Sequence, residues 1–280
     1  MKDLKIYFSA KSDLGLKRKI NEDSFLADSQ LGLFVVLDGI GGHQGGEIAS
    51  ELGRNTIQKT ILKFRHNKNY RINSSDNQYL SAEAYILMES IIQANQAIYQ
   101  TSRKKTEYAG MGTTVASLLL GEKIVAIAHV GDSRIYLIRG DSIERLTEDH
   151  SLIMEQIKQG IISGKEAKNS AMKNVITQAL GVEEELIPTV NEIIPFDNDL
   201  FLLCTDGLTD LVYDEEILEI ILKYRPNLDQ VSQALIDRAN EKGGIDNITT
   251  ILVNVKINSQ KKLFKSLFSI FNRFFPVQFE

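Results

Sequence analysis

The sequence predicts a layered α+β domain in which helices cover stacked antiparallel sheets. Three observations carry that prediction. Apolar runs of strand length recur in two groups; two pairs of segments with helical periodicity are interleaved with them; and Asp-Gly or Gly-Asp turns punctuate the runs. The 280 residues, 43% of them hydrophobic, are enough for one large domain or two small ones with a sizeable core.

In chain order, residues 4–9 and 24–28 read as short strands around a polar turn, SDLGLKRKINEDS, which crowds Arg18, Asn21, Glu22 and Asp23. The run LFVVL at 33–37 has the length of a buried strand and ends in Asp38, with glycines at 39, 41 and 42. Helical periodicity covers 47–64 and again 79–105, and the polar stretch RHNKNYRINSSDN between them reads as a solvated loop. Residues 112–120, 123–130, 134–139 and 142–146 form four strand-like runs with turns at 121–122, 131–133 and 140–141, the pattern of a meander. Residues 149–159 look helical, and 160–173 is a polar segment of weak pattern, a candidate flap. Strands are predicted over 175–178, 189–195 and 200–205. Helices follow over 214–224 and 228–241, the second stopped by Gly243-Gly244, and a strand over 248–255 closes the body.

Four of these runs share a chemical feature. LFVVLD, LFLLCTD and IVAIAHVGD end at Asp38, Asp206 and Asp132, whereas GGIDN places Asp246 just before the last strand. In an antiparallel sheet the start of one strand lies beside the end of its neighbour, so Asp38, Asp206 and Asp246 are expected at one rim, with Asp132 close by. A single Asp-Gly can be no more than a turn. Four strand-terminal carboxylates together repel unless a cation holds them, and hard oxygen ligands suit Mg²⁺ or Mn²⁺.

Composition excludes other classes. The one cysteine, Cys204, lies in an apolar strand and reads as core filler, so no disulfide framework exists and a reducing compartment is expected. The N-terminus lacks a basic segment leading into a long apolar run, and no stretch has the length of a membrane span, which points to a cytoplasmic protein. Net charge is −5; the last 22 residues contribute +3, leaving −8 on a body that should not seek nucleic acid. In that tail, KKLFKSLFSIFNRFF repeats apolar residues at helical spacing among cations. Such a segment lies on a membrane surface or in a partner's groove, or else packs on its own body or stays unstructured. The expected division is a body over 1–256 and a basic amphipathic tail over 257–280.

Assembled in order, Arg18 with NEDS at 21–24, DGIGGH at 38–43, GMGTT at 110–114, GDSR at 131–134, TEDHS at 147–151, TDGLTD at 205–210 and GGIDN at 243–247 resemble the metal-dependent protein phosphatases of the protein phosphatase 2C (PPM) type. The resemblance covers about residues 4–256. It implies a β-sandwich of two antiparallel sheets flanked by antiparallel helix pairs. It further implies two Mn²⁺ or Mg²⁺ ions, with Asp38 bridging them, the carbonyl of Gly39 completing the second site, and Asp206 and Asp246 holding the first. Asp132 with Asp206 would hold a third ion, and Glu22, or Asp23 beside it, would act through water. Arg18 would grip the substrate phosphate. Paired divalent ions make hydroxide available near neutral pH for in-line attack on phosphorus, and a planar bidentate donor stabilises the spreading charge.

One departure bears on the leaving group. Some relatives carry histidine directly after the first Asp-Gly, where this chain has Ile40; His43, or a metal-held water, would then be the acid. His129 and His150 sit in motifs but read as hydrogen-bonded structural residues, and His66, in the polar loop, as exposed; Thr113 and Thr114 are expected to support the site, and Ser133 and Arg134 to orient Asp132. The implied activity is hydrolysis of phosphoserine and phosphothreonine on proteins, opposing serine/threonine kinases, with a cognate kinase or its substrates as partners and a monomeric state. A catalytically inactive phosphoprotein-binding regulator of the same fold is the alternative, and small phosphorylated metabolites are a third substrate class.

Overall fold

A computed structural model describes residues 4–41, 45–66, 80–104, 106–163, 166, 172 and 175–257. The first strand, β1 (Leu4–Asp13), is followed by β2 (Ser24–Asp28), β3 (Leu33–Leu37) and the two-residue β4 (Gly39–Ile40). Two long helices, α1 (Gly45–His66) and α2 (Ala82–Lys104), precede β5 (Gly112–Thr113), β6 (Val115–Leu120), β7 (Val125–Val130), β8 (Arg134–Arg139) and β9 (Ser142–Arg145). Helix α3 (Leu152–Lys158) leads to β10 (Thr189–Ile193) and β11 (Asp199–Cys204), then to the short α4 (Asp206–Thr209), α5 (Asp214–Tyr224), α6 (Leu228–Glu241) and β12 (Ile248–Ile257).

The central strands are apolar at nearly every position because both of their faces are covered. In β3, Leu33, Val35 and Leu37 pack under α1 and α2, whereas Phe34 and Val36 face the other sheet. In β11, Leu200, Leu202 and Cys204 lie under α5 and α6, whereas Phe201 and Leu203 point inward. Period-two alternation therefore sorts side chains between two apolar layers rather than between core and water. One sheet has the order β1-β12-β11-β8-β9 and the other β10-β7-β6-β3-β2, with every pairing antiparallel. The result is a four-layer sandwich of helices, sheet, sheet and helices, with one apolar core at each of its three interfaces.

Four local predictions are corrected. The strand expected over 4–9 runs on to Asp13, because β12 stays in register beside it from Leu4↔Ile257 to Asp13↔Ile248. The run 112–120 is broken at Thr114, whose backbone N–H donates to the Asp38 carbonyl at 2.8 Å, so β5 pairs with β4 and only β6 enters the sheet. The helix expected from 149 begins at Leu152, since Ser151 caps it and Asp149 is drawn to Arg134. No strand forms over 175–178, where only the bridge Ser151↔Ile176 occurs. His66, expected in a loop, ends α1 and is exposed. His43, most of the candidate flap, and residues 258–280 lie outside the described residues. Among the described residues no helix is long and apolar enough to cross a membrane.

Candidate active site

Strand order brings the acidic strand ends to one rim. β11 and β12 pair so that Cys204 faces Thr250, and the Thr205 N–H donates to the Thr249 carbonyl at 3.2 Å. Asp206, opening α4, therefore lies beside Asp246, which precedes β12. In the other sheet β3 and β7 both run antiparallel to β6, so Asp38 and Asp132 leave the same edge. The turn from β1 to β2 comes to this edge too, because Ser24 pairs with Leu37.

Backbone contacts are tight there. The Asp38 N–H donates to Thr114 Oγ1 at 3.0 Å, and Thr113 Oγ1 donates to the Asp38 carbonyl at 2.8 Å. Thr114 Oγ1 and Ser133 Oγ lie 2.7 Å apart. The Gly39 N–H donates to the Glu22 carbonyl at 3.2 Å, which also accepts from Ser50 Oγ at 2.7 Å. A Cβ on Gly39 would stand 2.2 Å from the Gly46 carbonyl oxygen, so only glycine allows this approach.

The carboxylates are partly exposed at the mouth yet closely surrounded by protein. Asp38 and Asp206 act on each other's ionisation. Burial, then the charges of Asp206 and Asp23, push Asp38 well above the usual carboxylate range. Burial pushes Asp206 up to about 6 despite the hydrogen bond with Asp38, and pushes Asp132 up to about 8 with help from Asp206 and Asp149. Asp23 is raised to about 7 by burial, although its Oδ2 accepts from Thr205 Oγ1 at 2.9 Å and Thr249 Oγ1 at 2.6 Å. Burial also raises Glu22, against the opposing pull of Arg18. Arg18 Nη2 donates to Asp246 Oδ2 at 2.7 Å, its Nη1 stands 3.9 Å from Glu22 Oε2, and the side chain remains 46% exposed.

Cation chemistry can be tested on these atoms. Glu22 Oε1, Asp23 Oδ1 and Asp206 Oδ1 are buried with no hydrogen-bond partner among the described residues. Buried carboxylate oxygens without donors are costly, and a hard divalent cation satisfies them. Among the described residues no group of three or more His, Cys, Asp or Glu side chains is spaced to close on one ion. The fit therefore rests on the donor chemistry, the unpartnered oxygens and the mutual repulsion.

Several sequence expectations find their place. Cys204 is buried, with its thiol pushed up to about 12 by burial, as suits a core residue. His129 Nε2 lies 2.8 Å from the Glu148 carbonyl, and its ring stacks on His150 at 4.8 Å between centroids. His150 Nδ1 accepts from the Gly131 N–H at 3.2 Å, and burial first, then His129, brings it down to about 4. Arg134 does not orient Asp132 directly. Its guanidinium forks onto Asp149, Nε to Oδ1 at 2.9 Å and Nη2 to Oδ2 at 2.6 Å, and acts on Asp132 only through its charge. Asn247 carries a role that the sequence reading did not assign. Its Oδ1 accepts from the Glu22 N–H at 2.8 Å, and its Nδ2 donates to the carbonyls of Leu14 at 3.0 Å and Ile20 at 3.1 Å. Its position directly after Asp246 in a Gly-rich turn was the available signal.

A family profile described as Protein phosphatase 2C matches residues 17–247. Serine/threonine phosphatase stp of Listeria innocua is 35% identical over 249 residues, covering 87% of this chain and 93% of that protein. The crystal structure of the Mycobacterium tuberculosis serine/threonine phosphatase PstP/Ppp superposes with a TM-score of 0.77 at 31% identity, covering 90% of this chain and 99% of that one. A structure of the catalytic domain of serine threonine protein phosphatase PstP in complex with two manganese ions has the same TM-score, identity and coverage. The profile thus spans the carboxylate rim from Arg18 to Asn247, and the solved sandwiches follow the same course: this chain belongs to the protein phosphatase 2C family.

Proposed function

We propose that this protein hydrolyses phosphoserine and phosphothreonine esters on proteins, using Mn²⁺ or Mg²⁺. The observation that carries the reading is the meeting of Asp38, Asp206, Asp132 and Asp246 at one rim, with buried unpartnered oxygens on Asp206 and Glu22 and a half-exposed arginine beside them. The relatives named as serine/threonine phosphatases, and the manganese-bound PstP structure, support the same activity and cofactor.

Asp38, Asp206, Asp246 and Asp132, with the Gly39 carbonyl, would hold the ions, and Glu22 would act through water. When bound, the ions supply Lewis acidity and a nucleophile from water near neutral pH. The chain's own groups do the rest. Thr113, Thr114 and the Gly39 N–H fix the backbone around Asp38, so its carboxylate is presented without rearrangement. Arg18 is held near the rim by Asp246 and keeps guanidinium surface free to meet phosphoryl oxygens in a planar fork. His43 is the candidate acid for the leaving serine or threonine oxygen.

Turnover of p-nitrophenyl phosphate and of a phosphothreonine peptide with Mn²⁺, abolished by EDTA, is the expected result. Equal rates with and without EDTA, or no turnover at all, would count against it, and binding of phosphoprotein with no turnover would favour the inactive-regulator alternative. The proposal extends to a catalytic body over 1–256 that acts as a monomer against a serine/threonine kinase in the cytoplasm. It also includes a tail over 257–280 that makes peripheral contact with anionic membrane.

A further inference from the structure

Exposed aliphatic side chains concentrate beside Arg18. Leu14 is 39% exposed, Leu16 64%, Ile20 42% and Ile245 43%. They belong to two loops locked together: the N–H groups of Leu16 and Lys17 donate to the Gly244 carbonyl at 2.7 and 3.2 Å, and Asn247 holds the carbonyls of Leu14 and Ile20. Gly15 adopts φ +74, and a Cβ there would stand 2.1 Å from the Asp246 carbonyl oxygen, so the first loop is pressed onto the second. Leu16 and Ile20 are two residues either side of Arg18, which limits their Cα atoms to about 7 Å from its own. Lys17 and Lys19, between them, are also exposed.

Single exposed aliphatics need no explanation, but a group on pinned loops around a functional cation does. The hydrogen bonds hold this loop so that its apolar side chains stay at the surface. Continuity with Arg18 points to the molecule that would cover them. A phosphoryl group on the guanidinium brings the residues on either side of the phosphorylated one within reach of Leu16, Ile20 and Ile245, and Lys17 and Lys19 complement an acidic residue further along. We infer that Leu14, Leu16, Ile20 and Ile245 form a docking collar that selects phosphorylated segments with aliphatic residues flanking the phosphoserine or phosphothreonine. This deepens the phosphatase reading and rests on it.

The test compares two phosphothreonine peptides, identical except for leucine or serine on both sides of the phosphothreonine, with p-nitrophenyl phosphate as a substrate without flanking residues. The full chain with Mn²⁺ should prefer the leucine peptide by about 10-fold in kcat/KM, the discrimination ordinary for aliphatic contacts. Leu16→Ser combined with Ile245→Ser should reduce that preference to about twofold or less, and Leu16→Met should retain it. Both positions are exposed, and thermal melts of the variants check that the fold is kept. A wild-type preference near one overturns the inference, as does a preference that survives the double substitution, while p-nitrophenyl phosphate turnover leaves the phosphatase reading standing. Absence of metal-dependent turnover of every substrate by the wild type removes that reading and the collar with it.

Discussion

Burial first, then the charges of Asp210 and Asp246, raise the Asp206 carboxyl to about 6, against the opposing effect of Asp38. Asp206→Asn keeps the shape but removes the charge a divalent cation needs. The Mn²⁺-dependent kcat/KM on a phosphothreonine peptide is expected to fall by about 10³-fold or more, with the far-ultraviolet spectrum unchanged. The same group predicts a pH dependence for the cation-free protein. Asp206, Asp23 and Asp132 titrate near 6, 7 and 8 when folded and near 3.8 when unfolded, so the folded state binds their protons more tightly. Their contribution to stability is therefore complete below about pH 4 and is lost as pH rises through 6 to 8. In EDTA the melting temperature should decline between pH 5.5 and 8.5, and saturating Mn²⁺ at pH 8.5 should restore it; a flat profile in EDTA would contradict this. The carboxylates were legible in the sequence because each ends or begins an apolar run. Asn247 was not, since its three partners, Glu22, Leu14 and Ile20, are set by tertiary placement more than 200 positions away.

Between residue and domain, the decisive unit is β12 with the loop that precedes it. Asp13↔Ile248 at one side and Cys204↔Thr250 at the other make this one strand position both the 13–23 turn and α4. Asn247 is the pin, being 3% exposed and bonded to three backbone groups. Asn247→Ala leaves those groups unpaired and should cost about 3 kcal/mol in urea unfolding, with loss of the Arg18 geometry and hence of activity. A change under about 0.5 kcal/mol would show that the loop is held by other contacts. The long helices could be read from periodicity and the covered strands from short continuous apolar runs, because both faces of each central strand are apolar. Thr114 shows the limit. Its neighbours continue the strand pattern, but its backbone N–H and hydroxyl are claimed by Asp38, which splits β5 from β6. The segment 175–178 has strand composition without a partner strand to pair with, so a single bridge is all that forms.

At the scale of the molecule, two sheets bring residues 18–24, 38, 132, 206 and 246 to one end, while three apolar layers hold them there. The tail beyond Ile257 carries Lys261, Lys262, Lys265 and Arg273 among phenylalanines. Full-length protein should cosediment with anionic vesicles, less so at high salt, and a 1–258 truncation should not; identical behaviour of the two would remove the membrane proposal. The layering was legible in the order of strand-like and helical segments, and the meeting of Asp38 with Asp206 in the antiparallel alternation of strand ends, which the strand order then bears out. That proximity is the centre of the account, and anomalous diffraction from crystals soaked in Mn²⁺ measures it most directly. The account predicts two strong peaks at this rim, with Asp38 oxygens touching both and Asp206 and Asp246 on one of them. Peaks elsewhere, or none within reach of Asp38, would contradict it.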